Sequence, residues 1–194
     1  TESPLFIRLG NRARSYSKEV DITNTGVIKD VMIDHVIIRN TGSTGCSITG
    51  MPDSPVTGVR LSNISYEQAG GCDLSQVAEL IPEKEKDYPE ATMFGTLPAY
   101  GFFIRHATNI RMDNVELITM ERDMRFAFQL EDVQSSEFNH VKIATGDGNE
   151  SVFGMKSTSD IIISGALVKG NAGCLAELLT PDNKSILLLN NIVP

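Results

Sequence analysis

The sequence predicts an all-β fold, a right-handed parallel β-helix wound in coils of about 25 residues. Three observations lead there. The first is a nine-residue pattern that recurs six times around an apolar anchor, at Val36, Ile64, Val115, Val141, Ala166 and Ile192. Before the anchors stand His35, Asn63, Asn114, His140, Gly165 and Asn191, residue types that enter the left-handed region more readily than most. One position earlier come the small polar residues Asp34, Ser62, Asp113, Asn139, Ser164 and Asn190, and three before the anchors the apolar Ile33, Leu61, Met112, Phe138, Ile163 and Leu189. Each unit therefore reads as strand, tight polar bend, strand. The second observation is the spacing: the anchors from Val115 to Ile192 are 26, 25 and 26 residues apart, Val36 to Ile64 is 28, and Ile64 to Val115 is 51, one period plus an insertion. A fixed period of this size marks a solenoid. The third is a second apolar strand in each period, whose Ile104, Leu130 and Met155 each precede the next anchor by 11 residues.

Taken along the chain, Leu5 to Leu9 forms the opening coil strand. Arg12 to Gly26 is a polar loop that lengthens the first coil, because Ile7 to Val36 spans 29 residues. Gly45 to Thr49, Gly101 to Arg105, Phe126 to Leu130 and Ser151 to Met155 supply the recurring second strands. A large insertion runs from about 67 to 99; inside it, Asp73 to Leu80 reads as one short helix with Asp73 or Ser75 as N-cap and Pro82 beyond its end. Bulky loops on one face of a solenoid commonly wall a binding groove. Residues 1–194 are expected to make one β-helix domain without internal linkers. Stacked coils bring equivalent residues about 4.8 Å apart, which turns each inward position into a ladder of apolar side chains. An apolar content of 41%, with 16 Gly and no Trp, suits such a narrow core.

The net charge of −8 argues against a nucleic-acid partner, because phosphate contacts need a basic stripe. No apolar run approaches the ~20 residues of a membrane span. The chain opens with Thr-Glu-Ser-Pro directly ahead of a coil strand; an uncapped β-helix end is an aggregation-prone edge, so the expectation is that further coils, with any export signal, precede it. Cys46, Cys72 and Cys174 are too few, and odd in number, for a disulfide framework. Cys46 and Cys174 read as small core residues, and a Cys46–Cys72 bridge is an open alternative. His35 and His140 are accounted for by the bends, whereas His106 has no structural reason in the pattern. Gly146-Asp-Gly-Asn-Glu150 lacks the ligand alternation of an EF-hand and reads as a turn. No metal or cofactor is expected. Glu83, Glu85 and Asp87 read as a solvated charge run.

Two runs stand in the breaks of the period: Leu5-Phe-Ile-Arg-Leu-Gly-Asn-Arg12 and Ile81-Pro-Glu-Lys-Glu-Lys-Asp-Tyr-Pro-Glu-Ala-Thr-Met-Phe-Gly-Thr-Leu-Pro-Ala-Tyr-Gly-Phe-Phe-Ile-Arg-His106. With Gly45-Cys-Ser-Ile-Thr-Gly50 they resemble the C-terminal half of bacterial proteins of glycoside hydrolase family 28, the polygalacturonase group, over residues 4 to about 133. The resemblance implies a right-handed parallel β-helix that hydrolyses pectic polysaccharide with inversion, working outside the cell or in the periplasm on an acidic plant polysaccharide or oligosaccharide. The family's Asn-Thr-Asp, Asp-Asp and Gly-His-Gly motifs are missing from this chain. Inverting hydrolysis needs two carboxyl groups about 6.5–9.5 Å apart. The catalytic pair is therefore expected on the missing N-terminal coils, and this chain alone is expected to be inactive. Its expected contribution is a substrate-cleft wall carrying Arg8, Arg12, Tyr100 and Arg105. Arg8 stands on the opposite face of its strand from Ile7 and Leu9 and resembles the basic residue of the family's Arg-Ile-Lys strand. Tyr100-Gly101 is similar to a Tyr-Gly near the cleavage point of the fungal enzymes, and guanidinium groups bind uronate carboxylates bidentately. The alternatives are a non-catalytic polysaccharide-binding β-helix and a β-helix lyase or epimerase.

Overall fold

The computed structural model describes residues 3–13, 17, 25–144, 151–170 and 172–194. The loop read at Gly146 to Glu150 and most of the one between Arg12 and Gly26 lie outside the described residues. The strands wind into about six coils. Coil one holds β1 (Phe6–Arg8) and β2 (Lys29–Thr41), and coil two holds β3 (Cys46–Thr49) and β4 (Val56–Gln68). Coil three holds β5 (Ala99–Thr108) and β6 (Arg111–Thr119), and coil four β7 (Phe126–Asn139) and β8 (Lys142–Ala144). Coil five holds β9 (Ser151–Lys156), β10 (Ser159–Ser164) and β11 (Leu167–Lys169), and coil six β12 (Cys174–Leu178) and β13 (Lys184–Leu189). Every ladder between these strands is parallel. The fold is the parallel β-helix that the period predicts.

Long strands run through the corners of the coil by placing single residues in the left-handed region. The bend residues His35, Asn63, Asn114, His140 and Gly165 have φ of 55°, 54°, 52°, 51° and 64°. Two further corner columns, which the nine-residue pattern does not cover, run through Asp30, Gly58, Asn109, Ser135, Asp160 and Ser185 and through His106, Asp132 and Ser157, all at positive φ. Side-chain hydrogen bonds link the first column from coil to coil: Asn114 Nδ2 donates to Asn63 Oδ1 at 2.9 Å, and Asn63 Nδ2 to Asp34 Oδ1 at 2.9 Å. That bond and the Ser62 hydroxyl hold the Asp34 carboxyl below its ordinary pKa.

Val36 pairs with Ile64 and Ile64 with Val115, and Val115, Val141 and Ala166 continue the same column with at most 1% exposure. The sixth anchor departs from the pattern. Ile192 is 63% exposed and bridges Leu167 rather than Ala166, and the residue at positive φ is Asn190, not Asn191. Asn190 and Asn191 tolerate the bend equally, and the chain takes the first, so the last coil is a residue shorter than the pattern indicates. Asn191 then occupies the anchor position and uses its side chain instead, accepting from Ala166 N at 2.8 Å and donating to Ile163 O at 3.0 Å.

Inside the helix, register stacks Cys46 on Phe102, Phe102 on Phe128, Phe128 on Phe153, and Phe153 on Ala176. The rings of Phe102 and Phe128 are parallel with centroids 6.0 Å apart, those of Phe128 and Phe153 4.6 Å apart. Such pairs contribute about 0.5–1.5 kcal/mol beyond area burial. The three cysteines are free. Burial pushes the Cys46 thiol up to about 12, so it is a packing residue. Cys174, expected in the core, is exposed: in β12 the side chain of Leu175 is buried in its place. The expected short helix is a single 3₁₀ turn, Leu74–Gln76, because Asp73 and Gln76 close a capping box after which Val77 is already extended.

Candidate functional site

The insertion between β4 and β5 lies over the outer face of the ladder formed by β1, β3 and β5. The alternation of the strand sends Phe6 and Arg8 of coil one, and Phe103 and Arg105 of coil three, to that outer face, in register with Ser47 and Thr49 between them. A second hydrophobic cluster forms there: Phe6 and Phe103 pack with Ile81, Met93, Phe94, Leu97 and Ala99. β5 is consequently buried on both faces, which is why its sequence reads Tyr-Gly-Phe-Phe-Ile with no polar alternation.

Polar groups fasten the same loop. Arg105 is 3% exposed and donates through Nη1 to Ile81 O at 2.6 Å and through Nη2 to Pro82 O at 3.1 Å. Arg8 donates to Gly50 O at 2.7 Å and to Glu83 O at 2.5 Å. Both guanidinium groups stack near the Phe94 ring, at 5.3 Å for Arg8 and 5.5 Å for Arg105. Burial lowers the pKa of both, and the neighbouring charge of Arg105 lowers that of Arg8 further; Glu83 acts against the shift in each. Asn11 N donates to Glu85 O at 2.7 Å, closing the seam.

His106, left without a role by the sequence pattern, sits between two carboxylates. Its Nδ1 is 2.7 Å from Asp132 Oδ2 on coil four, and its Nε2 is 3.1 Å from Glu83 Oε1 on the insertion. The imidazole is 12% exposed. Glu83 Oε1 also lies 3.3 Å from Arg105 Nη1. Glu83 is therefore a paired group and not part of a solvated run. The column carrying Arg105 continues through Glu131 to Lys156, whose Nζ donates to Glu131 Oε1 at 3.1 Å.

Of the four expected substrate contacts, Arg12 lines a surface cavity. The cavity, of about 460 Å³, is lined by Arg12, Lys84, Lys86, Asp87, Tyr88, Glu90, Thr92 and Met93. Arg12 lies over the Tyr88 ring at 4.8 Å, and Tyr88 is 64% exposed. Three cations against two carboxylates make this a positive spot on an acidic chain. The structure does not bring the four residues into one concavity. Tyr100 points inward and is fully buried in the main core, and Arg8 and Arg105 are occupied by loop carbonyls. The geometry adds Lys84, Lys86, Tyr88, Glu83, His106 and Asp132. Two sequence signals point toward them: His106 is the histidine that the bends leave unexplained, and charged and aromatic residues are dense from Glu83 to Glu90 within the insertion.

As chemistry, the Glu83–His106–Asp132 row is not an open acid and base pair. The imidazole stands between the two carboxylates, 2.7 Å from one and 3.1 Å from the other, so they do not face each other across an open gap. The Arg12–Lys84–Lys86 cavity is suited to holding an anion, with an aromatic ring beside it. No family model matches the sequence, and no curated protein matches it. Among solved structures, the chain is similar to a crystal structure of a provisionally assigned glycosyl hydrolase from Parabacteroides merdae, at 10% identity and a TM-score of 0.42, over 84% of this chain and 80% of that one.

Proposed function

We propose that this chain is the C-terminal part of a β-helix glycoside hydrolase that acts on an acidic polysaccharide of the pectic type, outside the cell or in the periplasm, and that it supplies an anion-holding wall of the substrate cleft. The observation that carries the reading is the cavity lined by Arg12, Lys84 and Lys86, against Asp87 and Glu90, beside Tyr88. Cations of this kind recognise a uronate carboxylate by charge-assisted hydrogen bonds, and the ring offers an apolar face to the C–H surface of a sugar. In this reading Arg12 touches the ligand, while Arg8 and Arg105 hold the wall that carries Lys84 and Lys86.

Titration of an oligogalacturonide into the full-length protein tests the reading. Arg12→Ala and Lys86→Ala are each expected to weaken binding roughly tenfold, in keeping with ~1.5–3 kcal/mol for a hydrogen bond to a charged group, reduced by exposure to solvent. A neutral oligosaccharide of the same length should bind weakly and equally to all variants. Equal affinity of both variants and wild type for the acidic ligand would sink the proposal. The isolated chain is expected to release no reducing sugar from polygalacturonate. Release that is lost on changing a single Asp or Glu of this chain would refute that expectation.

A further inference from the structure

We infer that the surface where coils four to six meet the 3₁₀ turn of the insertion carries a second binding pocket, one for a primary ammonium group on a hydrocarbon arm. The cavity, of about 240 Å³, is lined by Leu74, Met124, Phe126, Ser151 and Glu177. Three apolar side chains therefore surround one hydroxyl and one carboxylate. The volume falls short of the ~300–1,000 Å³ of cavities that take a whole drug-sized ligand, so it suits a single side chain or a small amine.

The polar groups of this site are set in place by the coil stacking. Register places Glu177 on Gly154 and Gly154 on Gln129. The Ser151 hydroxyl donates to Glu177 Oε2 at 3.0 Å, and its oxygen lies 3.0 Å from Cys174 Sγ. Among the described residues no cation pairs with Glu177; Lys156 on the coil beneath is taken by Glu131 at 3.1 Å. A second acceptor stands close by. Gln129 is 1% exposed and donates through Nε2 to Glu131 Oε1 at 3.3 Å, which leaves its Oε1 buried without a donor. That oxygen and the edge of the Phe126 ring share the space over Gly154, where a Cβ would overlap both. The glycine thus lets an unmet amide oxygen lie against a wall of the cavity, and a buried acceptor without a donor is costly.

An ammonium group answers each of these features. It has three donors and no acceptor, one for the Glu177 carboxylate, one for Gln129 Oε1 and one for water at the open side. Its charge is favourable beside the Phe126 ring, and its hydrocarbon arm covers Met124 and Leu74. Leu74 is 55% exposed although the capping box of Asp73 and Gln76 fixes the turn that carries it. Other ligand classes leave something unpaired. An anion would meet Glu177 with no cation to offset it, and a wholly apolar group would strip water from the carboxylate and give nothing back. A metal ion needs more ligands, and among the described residues no three His, Cys, Asp or Glu side chains stand together to hold one. The net charge of −8 also draws cations toward the surface. The pocket is opposite in sign to the Arg12 cavity and does not depend on the acidic-sugar reading.

Titration of the full-length protein, carrying methyl-labelled methionine, with pentylammonium and with N-acetyl-lysine-N-methylamide tests the pocket. Pentanol and the corresponding norleucine derivative serve as neutral controls, and the Met124 methyl resonance, assigned through Met124→Leu, reports occupancy. The cations are expected to bind roughly tenfold more tightly than their neutral counterparts, and Glu177→Gln to weaken them roughly tenfold while leaving the neutral controls unchanged. Leu74→Ala should weaken charged and neutral probes alike. A response to pentylammonium without one to the lysine derivative assigns the pocket to free amines, and a response to the lysine derivative assigns it to a lysine side chain of a partner. A Met124 resonance that neither cation moves, equal affinity for charged and neutral probes, or wild-type affinity in Glu177→Gln would overturn the inference.

Discussion

Arg125→Ala is expected to lower stability by about 3–5 kcal/mol, the cost of leaving a buried charge without its partner. Arg125 and Asp123 have side chains with 0% exposure and meet in a two-pronged pair, Nη2 to Oδ2 at 2.7 Å and Nε to Oδ1 at 2.9 Å. The remaining guanidinium donors reach Leu97 O at 3.2 Å and Ser43 O at 2.7 Å. One side chain therefore ties the entry to coil four to the exit of the insertion and to the turn between coils one and two. Truncation strands the Asp123 carboxylate and two carbonyls together. Urea denaturation of the wild type, Arg125→Ala and the double variant Arg125→Met with Asp123→Leu checks the cause. The double variant should recover much of the loss, because exchanging a buried pair for apolar side chains is often neutral. A single-variant loss below about 1 kcal/mol would place this pair in the class of weak surface bridges and contradict the account.

Val141→Asp is expected to abolish folding. Val141 is 0% exposed, in the ladder between Val115 and Ala166, and nothing in that column can accept or donate to a carboxylate. An unpaired charge in such surroundings costs several kcal/mol even when it neutralises by taking up a proton. Domains of this kind have only about 5–15 kcal/mol in hand. The column also links coils three, four and five, so the damage is not confined to one turn. Circular dichroism with a thermal melt decides the matter, and a melting temperature within a few degrees of wild type would sink the column assignment. Val141→Ala, which removes volume without charge, should cost far less and keep the fold.

The coil architecture was legible because each winding repeats the same requirement, an apolar residue inward and an αL-tolerant residue before it, and repetition lifts a weak local signal above chance. Where two adjacent residues satisfied the requirement equally, at Asn190 and Asn191, the pattern alone had no means of choosing, and backbone pairing with Gly165 and Leu167 decided it. The insertion has no repeat, so its packing was not legible in the same way. Its hold on the coils comes from contacts such as Arg105 to Ile81 O, 24 residues apart, and Arg8 to Glu83 O, 75 apart. A carbonyl acceptor carries no side-chain signature, so no spacing rule identifies it. One clue did exist. Phe102 and Phe103 are consecutive on a strand, so one of them must face outward, and an outward Phe needs a cover. That reasoning points to the insertion as a lid on the outer face and leads away from Arg8, Tyr100 and Arg105 as neighbours in an open groove. Arg12 and the Glu83 to Glu90 run were legible as chemistry but not as one site, because a loop's fold decides which of its charges converge.

Arg8 and Arg105 hold the loop chiefly through main-chain oxygens, with the Glu83 carboxylate also 3.3 Å from Arg105. Every residue type presents the same carbonyl, so the grip is indifferent to what the loop spells at the positions it seizes. Lys84, Lys86 and Tyr88 can then be exchanged for other residues without loosening the attachment. Such an arrangement separates the inheritance of a scaffold from the inheritance of the surface it carries, so that the exposed letters of the loop can be rewritten while the coils beneath stay the same.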